Sequence, residues 1–244
     1  MKLIAKGNTA EIYEYSDNLV CKLFYPEYSS DYIEHEFDNA NIVIKLGIRT
    51  PRAHMMIFEG ERRGIIFDRI IGEDLFRKLY ETSSVSFEIW MDKFADFHKQ
   101  LMKHWVDDAM NYKDFLKMFA SDEETTVKIN ALEEGNCLIH GDFHPANVMV
   151  DESNSLVVID MMNICRGPAL YDIARTYFLL KNDTLSLQEH TRSIKSKFCV
   201  LLRYFQSAYH SVRFIQVPCR AQNLSLFDSA TSTMKIFVLC KADD

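Results

Sequence analysis

Glycine and proline are scarce in this sequence, which has 8 glycines and 5 prolines among 244 residues. Disordered chains are usually rich in these residues and poor in apolar ones, whereas 48% of this chain is hydrophobic. No internal repeat or low-complexity segment interrupts it. The composition therefore excludes a disordered protein and predicts a chain that buries a substantial core.

Paired cysteines and long apolar runs are also lacking. The six cysteines show no Cys-x-x-Cys spacing, and no apolar run approaches the roughly 18 residues of a membrane-spanning helix. The sequence has no stretch of the signal-peptide type. We therefore expect reduced thiols in a cytoplasmic protein that has no membrane partner.

Positive charge is in short supply as well, since 28 lysines and arginines face 35 aspartates and glutamates, for a net charge of −7. An acidic protein repels a phosphate backbone, so we expect no nucleic-acid partner. The same charge would suit a cationic small molecule, although a solvated acidic surface is its commoner meaning.

The first third of the chain predicts a small β-sheet with one helix. A helix is expected from about Asp31, whose side chain could cap it, to Lys45, before Gly47. Around it lie five short β-prone runs separated by turns: "KLIAKG", "AEIYEYSD", "NLVCKLFY", "AHMMIFEG" and "RRGIIFDRI".

Beyond residue 72 helical periodicity dominates. Apolar spacing predicts an amphipathic helix from about Ser86 to Trp105, with His98 as a hydrogen-bonded residue of its buried face. Further helices are expected over about Lys113–Ala131, Pro168–Leu180 and 185–210. We therefore predict two lobes, a β lobe of residues 1–70 and a larger helical lobe of residues 71–244, joined near residue 70.

The stretch "CLIHGDFHPANVMV", residues 137–150, sets polar residues between apolar strand runs. A second run, "SLVVID", ends at Asp160, and the turn "DESNS" predicts a hairpin that brings Asn147 near Asp160. Their oxygen atoms would suit a hard cation such as Mg²⁺. Asp142, on the preceding loop, could accept a proton from a hydroxyl. A base, an asparagine and a metal-binding aspartate in this order are the working parts of phosphoryl transfer to an alcohol.

These motifs resemble the aminoglycoside phosphotransferase family, relatives of choline kinases with a protein-kinase-like fold. The resemblance covers about residues 5–180 and rests on "HGDFHPANV…VVIDMMNICRGPALYDIART", "KGNTAEIYEY", "VCKLF" and "EHEFDNANIV". It implies an α+β fold of two lobes, a small antiparallel sheet with one helix and a mainly helical lobe that holds the catalytic loop and acceptor site. The implied activity is transfer of the γ-phosphoryl group of ATP or GTP, with Mg²⁺, to a hydroxyl of a small acceptor.

The resemblance also implies roles for individual residues. Asp142 would deprotonate the acceptor hydroxyl, and Asn147 and Asp160 would hold Mg²⁺. Lys22 would contact the α- and β-phosphates and pair with Glu36.

Supporting roles follow from the same pattern. His140 would brace the catalytic loop, and Asp172 would tether the backbone of that loop. The remaining nucleotide-binding candidates lie in the covering loop and in the hinge at about residues 66–72: Asn8, Thr9, Phe67, Asp68 and Arg69.

The predicted helix itself distinguishes Glu36 from Glu34. A buried stripe of Ile33, Phe37, Ala40 and Ile44 is expected, and Glu36 falls at its edge. Glu34 lies with the polar residues that face solvent. Hence we expect Glu36 to be the partner of the lysine.

Three features depart from related patterns. The loop "AKGNTAE" has a single glycine, and no Asp-Phe-Gly follows the hairpin, where Asp160 precedes Met161. Many relatives carry Gly-Asp-Pro where this chain has Gly167 followed by Pro168 and alanine. The missing aspartate bears on a local cap and leaves the chemistry unchanged.

Other functions remain open at this point. A protein of the same fold could bind nucleotide without turnover, and His140, Asp142 and His144 could instead be the metal ligands of a metallohydrolase. Protein-kinase activity is disfavoured because the segment 161–167 is too short for an activation segment. The sequence names neither the acceptor nor the choice between ATP and GTP.

Overall fold

The computed structural model describes residues 1–182, 212–213 and 240–241, so the helix expected over 185–210 lies outside the described residues. The chain forms two compact units. The first consists of Met1–Lys78 and Pro145–Ile164, and the second begins with Leu79–His144 and continues from Cys165. The segment Pro145–Ile164, which the sequence placed in the C-terminal lobe, thus groups with the first unit. The division near residue 70 into a nucleotide-binding lobe and a lobe with the acceptor site stays a prediction.

The described secondary structure comprises six α-helices, two short 3-10 helices (Pro145–Asn147 and Met161–Asn163) and twelve strands. The helices are α1 (Ser30–Lys45), α2 (Leu75–Glu81), α3 (Ser84–Leu101), α4 (Tyr112–Lys117), α5 (Glu123–Asn130) and α6 (Ala169–Asn182). The strands are β1 (Lys2–Lys6), β2 (Ala10–Ser16), β3 (Leu19–Phe24), β4 (Ala53–Glu59), β5 (Arg62–Asp68), β6 (Gly72–Asp74), β7 (Cys137–Ile139), β8 (Val148–Asp151), β9 (Leu156–Val158), β10 (Cys165–Gly167), β11 (Val212–Arg213) and β12 (Cys240–Lys241).

The first unit is built on an antiparallel sheet in the order β1-β2-β3-β5-β4, which confirms the five expected strands. A second sheet in the order β6-β8-β9 contains the expected hairpin, in which Val148 is paired with Val158. The α1 helix also lies in this unit and buries Ile33, Glu36 and Ala40 on one face.

The start of α1 differs from the expectation. Ser29, not Asp31, is the N-cap, because Ser29 has the extended backbone of a capping residue and its hydroxyl accepts a hydrogen bond from the Tyr32 amide. Asp31 lies within the first turn, where its negative charge faces the positive end of the helix dipole.

The second unit contains α3, which confirms the amphipathic helix but ends at Leu101 rather than Trp105. His98 is fully buried on α3 and is hydrogen-bonded, as expected. The single helix expected over Lys113–Ala131 is wrong, since α4 and α5 are separate. Asp122 accepts a hydrogen bond of 2.7 Å from the Thr125 amide, and this cap starts a new helix.

Within the described residues, no helix is both long enough and apolar enough to span a membrane.

Candidate active site

In the first unit, Lys22 of β3 lies between two carboxylates. Its Nζ is 2.7 Å and 2.9 Å from the two carboxylate oxygens of Glu36 on α1, and 3.0 Å from Oδ1 of Asp160. Lys22 and Glu36 are both buried, whereas the Asp160 side chain is 33% exposed. The arrangement brings together three residues that are far apart in the sequence.

The charges of this cluster depend on one another. Burial lowers the pKa of Lys22, but the Asp160 and Glu36 carboxylates outweigh burial and raise it above its ordinary value, so the ammonium stays charged. Burial raises the pKa of Glu36 to about 7, against the opposing attraction of Lys22. The cluster is therefore a fixed ammonium whose charge is balanced by the acidic groups of Glu36 and Asp160.

The other glutamate of α1 lies on a different face. Glu34 is 3.3 Å from an amino group of Arg63, and half of its side chain is exposed. Lys22 thus pairs with Glu36 and not with Glu34, as the helical stripe predicted.

The hairpin of β8 and β9 places Asn147 and Asp160 at the same end. The Ile159 amide, next to Asp160, donates to the Asn147 carbonyl oxygen over 3.0 Å. Asp160 itself has φ 64° and ψ 75°, a left-handed conformation that costs a residue with a side chain about 1–3 kcal/mol. Such strain is kept where the surrounding structure needs it, which makes Asp160 a candidate functional residue.

Asn39 supports this turn, and the sequence reasoning missed it. Its side-chain amide donates to the carbonyl oxygens of Met161 (2.9 Å) and Ile164 (3.3 Å). Asn39 is 1% exposed and lies three residues after Glu36 on the same face of α1. Its spacing of three residues from Glu36, at the edge of the predicted buried stripe, was the signal that could have found it.

The donor set at the hairpin end suits Mg²⁺. A carboxylate from Asp160 and an amide oxygen from Asn147 are hard oxygen ligands of the kind that this ion takes, with the rest of its octahedron filled by phosphate and water. The strained backbone of Asp160 aims a carboxylate where a regular strand would not. These residues therefore fit the ion that the sequence predicts.

Asn8 and Thr9 lie in the short loop between β1 and β2. Tyr25, at the end of β3, donates its amide hydrogen to the Thr9 carbonyl oxygen (3.0 Å) and its hydroxyl hydrogen to the Gly7 carbonyl oxygen (3.2 Å). The loop has little glycine, but these bonds hold its backbone in place. Tyr25 is a second residue that the sequence motif did not reveal.

The hinge candidates Phe67, Asp68 and Arg69 lie at the end of β5. The Asp68 amide donates to the Arg52 carbonyl oxygen (3.1 Å), and the Arg69 amide donates to the Asn18 carbonyl oxygen (2.8 Å). Phe67 is buried. Because protein partners already use two of the N–H groups expected to face a purine, a base would have to meet other main-chain groups of this segment.

In the second unit, Asp172 of α6 holds the loop that follows β7. One carboxylate oxygen accepts from the His140 amide (3.0 Å) and lies 3.1 Å from Nε2 of His98, while the other accepts from the Gly141 amide (2.8 Å). Asp172 and His98 are completely buried. Burial would raise the pKa of Asp172, but the hydrogen bond and charge of His98, together with the His140 amide, hold it below its ordinary value.

His140 also contributes to the shape of this loop. Its Nδ1 accepts from the Asp142 amide over 3.3 Å, and its ring meets the Phe143 ring edge-on at 5.8 Å. Phe143 stacks on His98 with ring centroids 4.3 Å apart. The loop is thus fixed from within as well as from α6.

Asp142 carries a half-buried carboxylate on this loop, with 27% of its side chain exposed. Its two oxygens lie 3.5 Å from His144 and 3.8 Å from Arg175. Burial alone would raise the pKa of Asp142, but the hydrogen bond of His144 and the charges of Arg175 and His140 hold it below its ordinary value. Asp142 is therefore ionised at neutral pH and able to accept a proton.

Arg175 is a third residue that the sequence reasoning missed. It lies three residues after Asp172 on α6, so both side chains leave the same face of the helix. Its Nε donates to the Gly141 carbonyl oxygen over 2.9 Å. The helical spacing from Asp172 was the available signal.

The alternative metal site gains no support. His140 uses Nδ1 on the loop backbone, and His144 lies against Asp142. Among the residues that the structure describes, no group of three or more His, Cys, Asp and Glu side chains is arranged to hold a metal ion.

The first unit has a five-stranded antiparallel sheet, one helix and a buried lysine–glutamate pair, and the second unit is rich in helices. These features define an α+β fold of the protein-kinase-like class. Residues 83–192 match the sequence model of the phosphotransferase enzyme family, APH. The resemblance to the aminoglycoside phosphotransferase family is thereby confirmed. No curated protein matches the chain.

Solved structures share the fold at low sequence identity. A thermostable mutant of aminoglycoside phosphotransferase APH(4)-Ia is 14% identical, with a TM-score of 0.56 over 85% of this chain and 78% of that one. The APH(2")-IIa complex with gentamicin is 19% identical, with a TM-score of 0.53 and coverage of 84% and 76%. APH(3'')-Id from Streptomyces rimosus, bound to ADP and streptomycin, is 14% identical, with a TM-score of 0.52 and coverage of 80% and 83%.

Proposed function

We propose that this protein is a small-molecule kinase that transfers the γ-phosphoryl group of ATP or GTP to a hydroxyl of a small acceptor. The observation that carries the proposal is the buried ammonium of Lys22, held between Glu36 and Asp160 within 3.0 Å of each. Structures of the same fold have been solved with the nucleotides AMP-PNP and ADP and with the aminoglycosides hygromycin B, gentamicin and streptomycin. The net charge of −7 favours a cationic acceptor.

The first unit would bind the nucleotide. Lys22 would contact the α- and β-phosphates, with Glu36 holding its ammonium in place, and Asn147 and Asp160 would hold Mg²⁺. The ion would neutralise charge on the phosphates. Asn8 and Thr9 of the covering loop would lie over them.

The base of the nucleotide would meet the segment at the end of β5, with Phe67, Asp68 and Arg69 as the nearest residues. Main-chain donors and acceptors would recognise a purine edge whatever side chains this segment carries, so its residue types do not reveal whether the base is adenine or guanine. Both ATP and GTP are therefore kept as co-substrates.

Asp142 would serve as the base. The acceptor hydroxyl would donate a hydrogen bond to the Asp142 carboxylate, and its oxygen would attack the γ-phosphorus. The bond from that phosphorus to the bridging oxygen would break, the nucleoside diphosphate would leave with the electron pair, and Asp142 would take the hydroxyl proton. A carboxylate of low pKa suffices, because phosphoryl transfer depends more on positioning and charge stabilisation than on a strong base.

His140 and Asp172 would act through the loop backbone. Asp172 holds two amides of the loop, and His140 holds a third. We further propose that residues 71–244 supply the acceptor site, that the protein is cytoplasmic, and that neither nucleic acid nor a membrane is a partner.

The test is a phosphotransfer screen of the purified protein with Mg²⁺ and ATP or GTP. A panel of aminoglycosides, amino-alcohols, sugars and other hydroxyl-bearing metabolites would be followed by ³¹P NMR. Acceptor-dependent formation of ADP or GDP and of a phosphomonoester supports the proposal, provided that Asp142→Asn removes it. Tight nucleotide binding without turnover of any acceptor would instead favour a catalytically silent nucleotide-binding protein.

A further inference from the structure

The face of α6 that holds the catalytic loop carries two charged residues, not one. Asp172 accepts from the His140 and Gly141 amides, and Arg175, three residues later, donates to the Gly141 carbonyl oxygen over 2.9 Å. The amide and the carbonyl of Gly141 are therefore both held by one helix.

These two bonds matter for Asp142 because Gly141 directly precedes it in the chain. Gly141 has φ 73°, a left-handed conformation, and the peptide that it shares with Asp142 sets the direction in which the Asp142 side chain leaves the backbone. A hydrogen bond to the carbonyl of that peptide limits its rotation. Arg175 thus controls the orientation of the residue that follows.

Arg175 also acts on the Asp142 carboxylate by charge. Its terminal nitrogen lies 3.8 Å from Oδ1 of Asp142, which is an ion-pair distance that is too long for a strong hydrogen bond. The Arg175 side chain is only 11% exposed, so water screens this attraction weakly. The other charged groups around the carboxylate are His144, at 3.5 Å from Oδ2, and His140, whose Nδ1 binds the Asp142 amide.

We infer that Arg175 is a positioning residue for the phosphotransfer reaction: it orients the Asp142 carboxylate through the Gly141 carbonyl and stabilises the negative charge of that carboxylate through its guanidinium group. The inference rests on the proposed function, in which Asp142 is the base. Arginine suits both tasks, because its fork directs one nitrogen to the carbonyl while another stays near the carboxylate.

The charge component is tested without turnover. In protein carrying ¹³C-labelled aspartate, the carboxyl signal of Asp142, assigned with Asp142→Asn, is titrated by NMR. Arg175→Gln should raise the pKa of Asp142, whereas Arg175→Lys, which keeps the charge, should leave it near the wild-type value. Arg166→Gln is the matched control, since Arg166 of β10 binds the Asn136 side chain and not the loop. An Asp142 titration unchanged by Arg175→Gln would overturn the inference.

The orientation component is tested by kinetics with Mg²⁺–ATP and water as the phosphoryl acceptor, or with an acceptor from the screen. Arg175→Gln and Arg175→Lys should both lower kcat, by about tenfold to a hundredfold, with little change in KM for ATP, since a small displacement of a catalytic group has effects of this size. Lysine would thus restore the Asp142 titration but not kcat. Full recovery of kcat in Arg175→Lys would contradict the orientation component.

The two proposals fail in different ways. If the wild-type protein phosphorylates neither water nor any acceptor, the proposed function fails, while the NMR titration still decides whether Arg175 controls Asp142. If wild-type turnover is found and Arg175→Gln retains both kcat and the Asp142 pKa, only the inference about Arg175 is wrong.

Discussion

The two compact units each hold a candidate functional carboxylate, and they hold it by different means. In the first unit, Asp160 sits on a strained left-handed backbone beside the buried cation Lys22. In the second, Asp142 lies on a loop whose His140 and Gly141 amides are bound by the fully buried Asp172. Charge organises the first site, and hydrogen bonds to the main chain organise the second.

Because the two sites are organised differently, substitutions in the two units should affect different properties of the protein. Changes in the first unit should alter the binding of nucleotide and metal, because Lys22 and Asp160 are placed to interact with charged ligands. Changes in the second unit should alter turnover or folding, because the loop holds its shape only while its buried partners are present.

The largest effect is expected at Asp142. Asp142→Asn removes the proton acceptor but keeps the size of the side chain, so kcat should fall by about 10²- to 10⁴-fold, the usual contribution of a general base. Steady-state kinetics measures the loss, and calorimetric titration with ATP should show unchanged nucleotide affinity. Near-normal turnover would exclude Asp142 as the base.

The next largest effect is expected on stability at Asp172. Asp172→Ala leaves two buried amides and His98 without their acceptor, which should cost about 3–5 kcal/mol of unfolding free energy in urea denaturation. The control is Asp96→Ala on α3, where an exposed carboxylate pairs with Lys99 and less than about 1 kcal/mol is expected. Equal losses of unfolding free energy in the two variants would mean that the bonds of Asp172 to the loop stabilise the protein no more than an exposed ion pair does.

Asp172 should also make the unfolding free energy depend on pH. The pKa of Asp172 in the folded protein lies below the ordinary value of 3.8, so its ionised form is favoured by folding. The stability that it contributes is therefore present above that ordinary pKa and is lost as the pH falls through the lower folded pKa. Urea unfolding from pH 6 down to pH 3 should show this loss, and Asp172→Ala should make the acid limb shallower.

A smaller effect is expected in the lysine cluster. Glu36→Gln removes one charge from the buried pair, which should cost about 1–3 kcal/mol of stability and weaken ATP binding, because Lys22 is then less firmly placed. Glu34→Gln is the matched control on the same helix, with an exposed partner and an expected change within about 0.5 kcal/mol. If the two variants had the same stability and the same affinity for ATP, the pairing of Glu36 with Lys22 would have no special role.

The smallest change in free energy is expected for metal-dependent binding at Asp160. Asp160→Ala should abolish the increase in ATP affinity that Mg²⁺ produces, which we expect to be about tenfold, or about 1.4 kcal/mol. Titrations with ATP in the presence and absence of Mg²⁺ measure it. An intact Mg²⁺ effect in this variant would show that Asp160 is not the metal ligand.

Much of the first unit followed from local patterns. Alternating apolar runs and short turns predicted five strands, and the turn "DESNS" predicted the hairpin of β8 and β9. Side-chain periodicity along a helix was enough to choose Glu36 over Glu34, because burial of one face fixes which residues point inward. Helix boundaries were less certain, since Ser29 and Asp122 compete for backbone amides in ways that propensity does not weigh.

The sequence by itself determined the type of fold, the chemical groups of the candidate site and the order in which they occur, because these depend on periodicity and on motifs of fixed spacing. Only the tertiary structure showed that Asn39 holds the turn after Asp160, that Tyr25 holds the covering loop, and that Arg175 reaches the peptide before Asp142. These contacts join segments that are 16 to 122 residues apart. Such partners are chosen by packing between elements, and no local pattern in the chain encodes them.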